Sequence, residues 1–192
     1  MQLKPTIKKS FEIFLGEVLK QNTKHNLTGS KTKKDFEFHI EDCVKATIQT
    51  TSTLENVVVD FGSGSGLLGI VIKILNPNKE VFLVERNLRK HQFQKFVLTK
   101  LGIDGITPIH DDVVNFSLDK NYTACSKAFA SIKKTLLMTK NKKNIKNYLF
   151  LKKNDANTKR ELLEAKPLIY DYKMHNYLCQ NVKMTAIEVN DN

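Results

Sequence analysis

Apolar residues along this 192-residue chain recur first with a helical rhythm and later with the rhythm of strands. Ile7, Phe11, Leu15, Val18 and Leu19 fall at helical spacing, which predicts an amphipathic helix over the first twenty residues, packed on the rest of the chain. A polar stretch follows, and Phe36, Ile40, Val44 and Ile48 then recur on one side of a second helix. At Val57 the pattern changes. "NVVVDF" is short and β-branched, "LLGIVIKIL" suits a helix, and "EVFLVE" predicts a second strand. "RNLRKHQFQKFVLTKL" predicts a helix with Phe93, Phe96, Val97 and Leu101 facing inward, and "GITPIH" a third strand. Downstream, "YTACSK", "NYLFLKK" and "LIYDYKMHNYL" predict strands, with helices at "SIKKTLLMTK" and "DANTKRELLEAK".

Strands alternating with helices predict an α/β fold with a mostly parallel, doubly wound sheet and right-handed crossovers. The final piece, "NVKMTAIEVN", alternates like an edge strand and follows closely on its predecessor. An antiparallel C-terminal pair is expected there. Residues 1–55 then form a helical extension on a Rossmann-like core of residues 56–192, within one compact domain. A chain of this length leaves no room for a second full substrate domain.

Charge sharpens the picture because it is local. The formal net charge is +11, and residues 121–160 hold eleven basic residues against one acid, Asp155. An exposed field of that kind attracts phosphate backbones, whereas an even spread would mean only a solvated surface. The three cysteines, Cys43, Cys125 and Cys179, are widely spaced and form no CxxC pair, which fits a reducing cytoplasm better than a disulfide framework or zinc knuckle. His25, His91, His110 and His175 show no metal-ligand spacing, and no metal is expected. No segment approaches a membrane span or a signal peptide. With no apolar stripe left over, a soluble monomer is expected.

The candidate chemistry lies in "VVVDFGSGSGLLGI", Val57 to Ile70. In an open parallel sheet the turn after the first strand lies where ligands bind. Gly62, Gly64 and Gly66 let the backbone approach a ligand closely, and the helix beginning near Leu67 offers unpaired N–H groups. Two frames fit. Gly64-x-Gly66-x-x-Gly69 with Glu85 on the next strand tip is the dinucleotide fingerprint of an NAD(P)-dependent oxidoreductase. Asp60-x-Gly62-x-Gly64-x-Gly66 is the shape of the first motif of S-adenosylmethionine-dependent methyltransferases. A carboxylate at the strand tip repels a pyrophosphate but suits a donor carrying an ammonium and a sulfonium, so Asp60 favours the second frame. Asp60 also suits a purely structural role, accepting backbone N–H bonds.

After the third strand comes "HDDVVNF", where class I methyltransferases place residues around the adenine. Asp112 is a candidate acceptor there, with the backbone of Val113 and Val114 beside it. After the fourth strand, "SKAFAS" lacks the Asn/Asp-Pro-Pro-aromatic signature of exocyclic amine methylation, and no Pro-Cys is present for attack at cytosine C5. A ring nitrogen with a free lone pair, such as guanine N7, needs neither device nor a general base.

These residues resemble a named family, the bacterial ribosomal RNA small subunit methyltransferase G family, also called glucose-inhibited division protein B. The resemblance rests on "NLT" at Asn26–Thr28, "HIEDC" at His39–Cys43, the glycine loop, "SKAFAS" at Ser126–Ser131 and "FLKK" at Phe150–Lys153. It implies N7 methylation of a guanine in the decoding-region loop of 16S rRNA, with S-adenosylmethionine as donor and S-adenosylhomocysteine as product. It also implies cofactor contacts at Gly62, Leu67, Val113, Val114 and Lys127, and it supports a ribose role for Glu85. Asn26, His39, Asp42, Lys127 and Lys152 become candidate substrate contacts. Ser65 and Leu68 stand where the family usually has proline, which predicts a looser loop. Lys127 stands where arginine is usual and lacks the bidentate fork, and Lys153 replaces a glycine. Those departures leave a third reading open, a ribosome-binding module with weakened catalysis.

Overall fold

Two helices open the chain in the computed structural model, which describes residues 3–191; the side chain of His25 lies outside the described part. Helix α1 (Pro5–His25) starts with its proline in the first turn, where the missing N–H costs nothing. It stops at Asn26, whose left-handed backbone (φ 48°) closes the last turn. Helix α2 (Lys33–Thr50) starts at a capping box in which Thr32 and Asp35 satisfy each other's backbone N–H.

An alternating α/β run follows: β1 (Val57–Phe61), α3 (Leu67–Leu75), β2 (Glu80–Val84), α4 (Leu88–Leu101), β3 (Ile106–Ile109), β4 (Tyr122–Lys127), α5 (Ile132–Thr139), β5 (Ile145–Lys153) and α6 (Ala156–Ala165). A hairpin of β6 (Ile169–Cys179) and β7 (Val182–Asp191) finishes it. The seven strands lie in the order β3-β2-β1-β4-β5-β7-β6. Pairs from β3 through to β5 are parallel, and β7 is antiparallel to both its neighbours. The strand order reverses between β1 and β4, which puts the expected ligand crevice beyond Phe61 and Lys127.

One strand lies elsewhere in the sheet than its alternation predicts. β7 is not the edge: it lies between β5 and β6, and Met184 through Ile187 are buried. The exposed edge is β6. A hairpin can present either strand to the sheet, and the more apolar β7 took the covered position.

Helices α1 to α4 cover one face of the sheet. Phe14, Val18, Phe36 and Val44 share a single apolar layer there with Ile70, Val97 and the strand residues Val58, Leu83 and Leu149. Helices α5 and α6 cover the other face, over Val59, Phe61, Tyr148 and Phe150. Two helix positions differ from the expected pattern. Phe96 is exposed, with Lys100 Nζ 5.8 Å from its ring centre. The buried arc of α4 is centred on Phe93, Gln94 and Val97, and Phe96 lies well outside it at 100° per residue. Ile48 is exposed for the same reason. Steps of four drift by about 40° each, so three steps carry it off the buried side of α2.

Candidate functional site

The β1–α3 turn is wound by its glycines and tied down by two side chains from outside it, Glu85 after β2 and Gln94 on α4. Gly62, Gly64 and Gly66 all have positive φ (64°, 60° and 85°), a region costly for other residues. Ser63 donates from N and from Oγ to the Val84 carbonyl, at 3.1 and 3.3 Å. Gly64 N donates to Glu85 Oε2 at 2.8 Å, and Gly66 N to the Ser63 carbonyl at 2.8 Å. From α4, Gln94 Nε2 donates to Ser63 Oγ and to the Gly64 carbonyl, both at 2.8 Å. Ser65 and Leu68, the positions without proline, are both buried in this frame. Hydrogen bonds at Ser63, Gly64 and Gly66 restrain the loop.

The two strand-tip acids already hold backbone. Asp60 is buried and accepts from Gly69 N at 3.0 Å. Burial pushes its carboxyl up to about 7, against the pull of the Gly69 N–H and helped by the charge of Glu85. Glu85 bridges Gly64 N and Asn87 N with its two oxygens, the second also at 2.8 Å.

Two hollows flank Gly62. The first, about 400 Å³, is lined by Asp60, Gly64, Leu67, Ser30, His39 and Lys127. The second, about 290 Å³, is lined by Glu85, Asp112, Val113, Phe129 and Met138. Gly62, Lys90 and Ala128 border both, so the two form one elongated site across the strand tips. Ala128 has φ 56°, a backbone position a non-glycine residue holds only at a cost of about 1–3 kcal/mol.

Not every residue singled out from the sequence reaches this site. Gly66 caps α3 rather than lining a hollow. Val114 is exposed, and its N–H is taken by Asp112 Oδ1 at 3.1 Å. Asn26 is the exposed cap of α1, while its neighbours Leu27 and Thr28 line the first hollow. Lys152 donates to the Ala130 carbonyl and pairs with Glu161 Oε2, both at 2.9 Å, which fixes the loop after β4. Glu161 also receives Ile132 N at the start of α5.

Asp42 lies beneath the first hollow, fully buried. Its Oδ2 accepts from Lys127 Nζ and its Oδ1 from the Tyr177 hydroxyl, the latter at 2.7 Å. Burial works against the Lys127 ammonium, but the Cys43 thiol and Asp42 carboxylate outweigh it, and its pKa is raised. The one cation facing the first hollow from β4 is therefore pinned from α2 and, through Asp42, from β6. Nothing local in the sequence signalled Tyr177 or Gln94. Their partners lie 135 and about 30 residues away.

An open sheet of this order, with an acid and three positive-φ glycines at the first strand tip and a second acid at the next, defines a class I S-adenosylmethionine-dependent methyltransferase. Solved structures with this fold include the METTL16 methyltransferase domain (TM-score 0.62, 10% identity, covering 95% of this chain and 97% of that one). M. capricolum TrmK, solved with S-adenosylhomocysteine, gives a TM-score of 0.55 at 20% identity over 76% of this chain and 67% of that one. The chain belongs to the rRNA small subunit methyltransferase G family, whose family model matches residues 7–186. A relative of that name from Oceanobacillus iheyensis is 28% identical over 83% of this chain and 69% of its own length. The one from Brachyspira hyodysenteriae is 36% identical over 65% and 60%. The alignment to the Vibrio atlanticus relative, at 32% identity, covers 59% of this chain and about half, 53%, of that protein.

Proposed function

We propose that this chain transfers the methyl group of S-adenosylmethionine to N7 of a guanine in the decoding-region loop of 16S rRNA, acting as a cytoplasmic monomer on the small ribosomal subunit. The observation that carries the reading is the elongated site on both sides of Gly62, with acids at its two strand tips, in a chain that matches the family over residues 7–186.

The residues present fit the donor. Around Gly64 the space is open, the nearest atom to an added Cβ being the Gly62 carbonyl oxygen at 4.0 Å. Asp60 would hold the ammonium of the donor and Lys127 its carboxylate. Glu85 would hold the ribose hydroxyls, exchanging its backbone partners for them, and Val113 with Asp112 would border the adenine. When bound, the donor supplies a methyl group on a positively charged sulfur. The chain's own task is to align the base and to tolerate the positive charge that the base gains. Guanine N7 carries no proton, so no general base is required. Pairing with Asp42 neutralises the Lys127 cation on its buried side. The dinucleotide frame is less favoured, because the buried Asp60 carboxylate sits against the loop that would carry a pyrophosphate. Exposed Lys133 and Lys134 on α5, Lys140 and Lys143 after it and Lys146 on β5 add phosphate-attracting charge.

Tritiated methyl transfer into small subunits lacking the modification tests the reading, with incorporation at guanine N7 expected. Absence of incorporation overturns it, and RNA retention without cofactor binding would point to a non-catalytic binding module.

Asp60 makes donor binding depend on pH. Its carboxyl titrates near 7, neutral below and charged above, and the cationic donor prefers the charged form. Affinity for S-adenosylmethionine is therefore expected to rise roughly five- to tenfold between pH 6 and pH 7.5. Calorimetry should show proton release on binding, and Asp60→Asn should flatten the profile.

A further inference from the structure

A third pocket, about 710 Å³, abuts the first hollow and shares Gly29, Ser30 and His39 with it. Its other walls come from the first turns of α2, with Lys34 and Phe38, and from the tip of the β6–β7 hairpin, with Gln180 and Asn181. The hairpin turn is a two-residue loop with positive φ at both positions, 45° at Gln180 and 67° at Asn181. Such a turn favours Asn-Gly or Asp-Gly, and glutamine in its first position is held at a cost. Gln180 is fixed there by donating to Glu41 at 3.1 Å, which leaves Asn181 presented to the pocket. The Asn181 carboxamide makes no hydrogen bond among the described residues.

The wall of this pocket carries one cation, Lys34, and one acid, Asp35, and further lysines surround it. Lys31, Lys34, Lys153 and Lys183 are exposed and come from three segments, the start of α2, the end of β5 and the start of β7. None of the four is in an ion pair among the described residues. The nearby acids are taken: Asp35 by its capping box, Glu37 by Lys33, and Glu41 by Lys45 and Gln180. An aromatic ring beside a polar carboxamide, with unpaired lysines around them, is the composition that takes a nucleotide removed from its stack.

We propose that this pocket receives the extruded target guanine nucleotide, with the base against Phe38, the Watson–Crick edge toward Asn181 and the phosphates among the four lysines. The assignment rests on the function proposed above and adds where the base is read. Methylation at N7 turns that edge toward the hollow of Asp60 and Lys127. The opposite edge, N1–H and the 2-amino group, then faces away from it, and a carboxamide oxygen is a fitting acceptor. His39 forms the shared wall. Burial, and then the charge of Lys127, lower its pKa, so it stands neutral beside a base that becomes positive.

Two variants test this on small subunits lacking the modification. Asn181→Gly removes the carboxamide at a turn position that favours glycine, and Phe38→Leu removes the ring. Each is expected to lower kcat/KM for subunits about tenfold, with the melting temperature held and the Kd for S-adenosylmethionine changed less than twofold. Unchanged kcat/KM in both variants, or a parallel loss of donor affinity, overturns the assignment. Should the wild-type chain transfer no methyl group, the function proposed above fails. Filter retention of protein-free 16S rRNA with S-adenosylhomocysteine then decides the pocket: retention lost in both variants supports it, and retention kept overturns it. Loss of binding to subunits but not to protein-free rRNA would assign the surface to a protein contact and also overturn it.

Discussion

Asp42→Ala is expected to lower folding stability by about 3–5 kcal/mol, because it leaves the buried Lys127 ammonium without its counter-ion. Asp42 is wholly shielded from solvent, and only 16% of the Lys127 side chain is exposed, so water cannot replace the lost carboxylate. Urea denaturation followed by circular dichroism measures the change. Tyr177→Phe removes one hydrogen bond to the same carboxylate and should cost about 1–2 kcal/mol. A paired replacement, Asp42→Leu with Lys127→Met, should recover much of the stability, since removing both charges also removes the cost of burying them. The same double variant should still bind S-adenosylmethionine poorly if Lys127 holds the donor carboxylate. That divergence between stability and binding separates a structural ion pair from a positioned ligand contact.

Gly62→Ala is the second change with a large expected effect. A Cβ on Gly62 would stand 2.1 Å from Cδ2 of Phe129, and the backbone is at φ 64°. The backbone strain alone is worth about 1–2 kcal/mol. The collision must also be relieved by moving the Phe129 ring, which lines the second hollow. Affinity for S-adenosylmethionine, read by calorimetry, is expected to fall on the order of a hundredfold, equivalent to about 3 kcal/mol. Gly102→Ala provides the control, with φ 58° and no atom within 4 Å of the added carbon. It should show the backbone cost without loss of donor binding.

Periodicity made the elements themselves legible, because burial of one face imposes a local rhythm on α2, β1, α3 and β2 alike. The strand-tip acids were legible too, since Asp60 and Glu85 close short apolar runs. Pairing was not. Nothing within β7 states which strand it will lie beside, and its alternation fitted an edge as well as a covered position. The side-chain network escaped for the same reason. Gln94 sits on the buried arc of α4 and looks like a polar interruption until the glycine loop is folded against it. Asp42 and Lys152 read from the sequence as candidate substrate contacts, and nothing there signals that their partners are Tyr177, the Ala130 carbonyl and Glu161. Asn26 shows the converse: a residue matching a family motif whose visible task is to end a helix.

The insertion of β7 between β5 and β6 also orders events during synthesis. β6 leaves the ribosome first, yet among the described residues it pairs with β7 alone, so it waits for that strand until some ten further residues emerge. Tyr177 is carried on β6 and secures Asp42, which in turn secures Lys127. The floor of the first hollow is therefore set only when the last strand slots in, and a nascent chain already holding β1 to β5 would display its glycine loop before its cation was fixed.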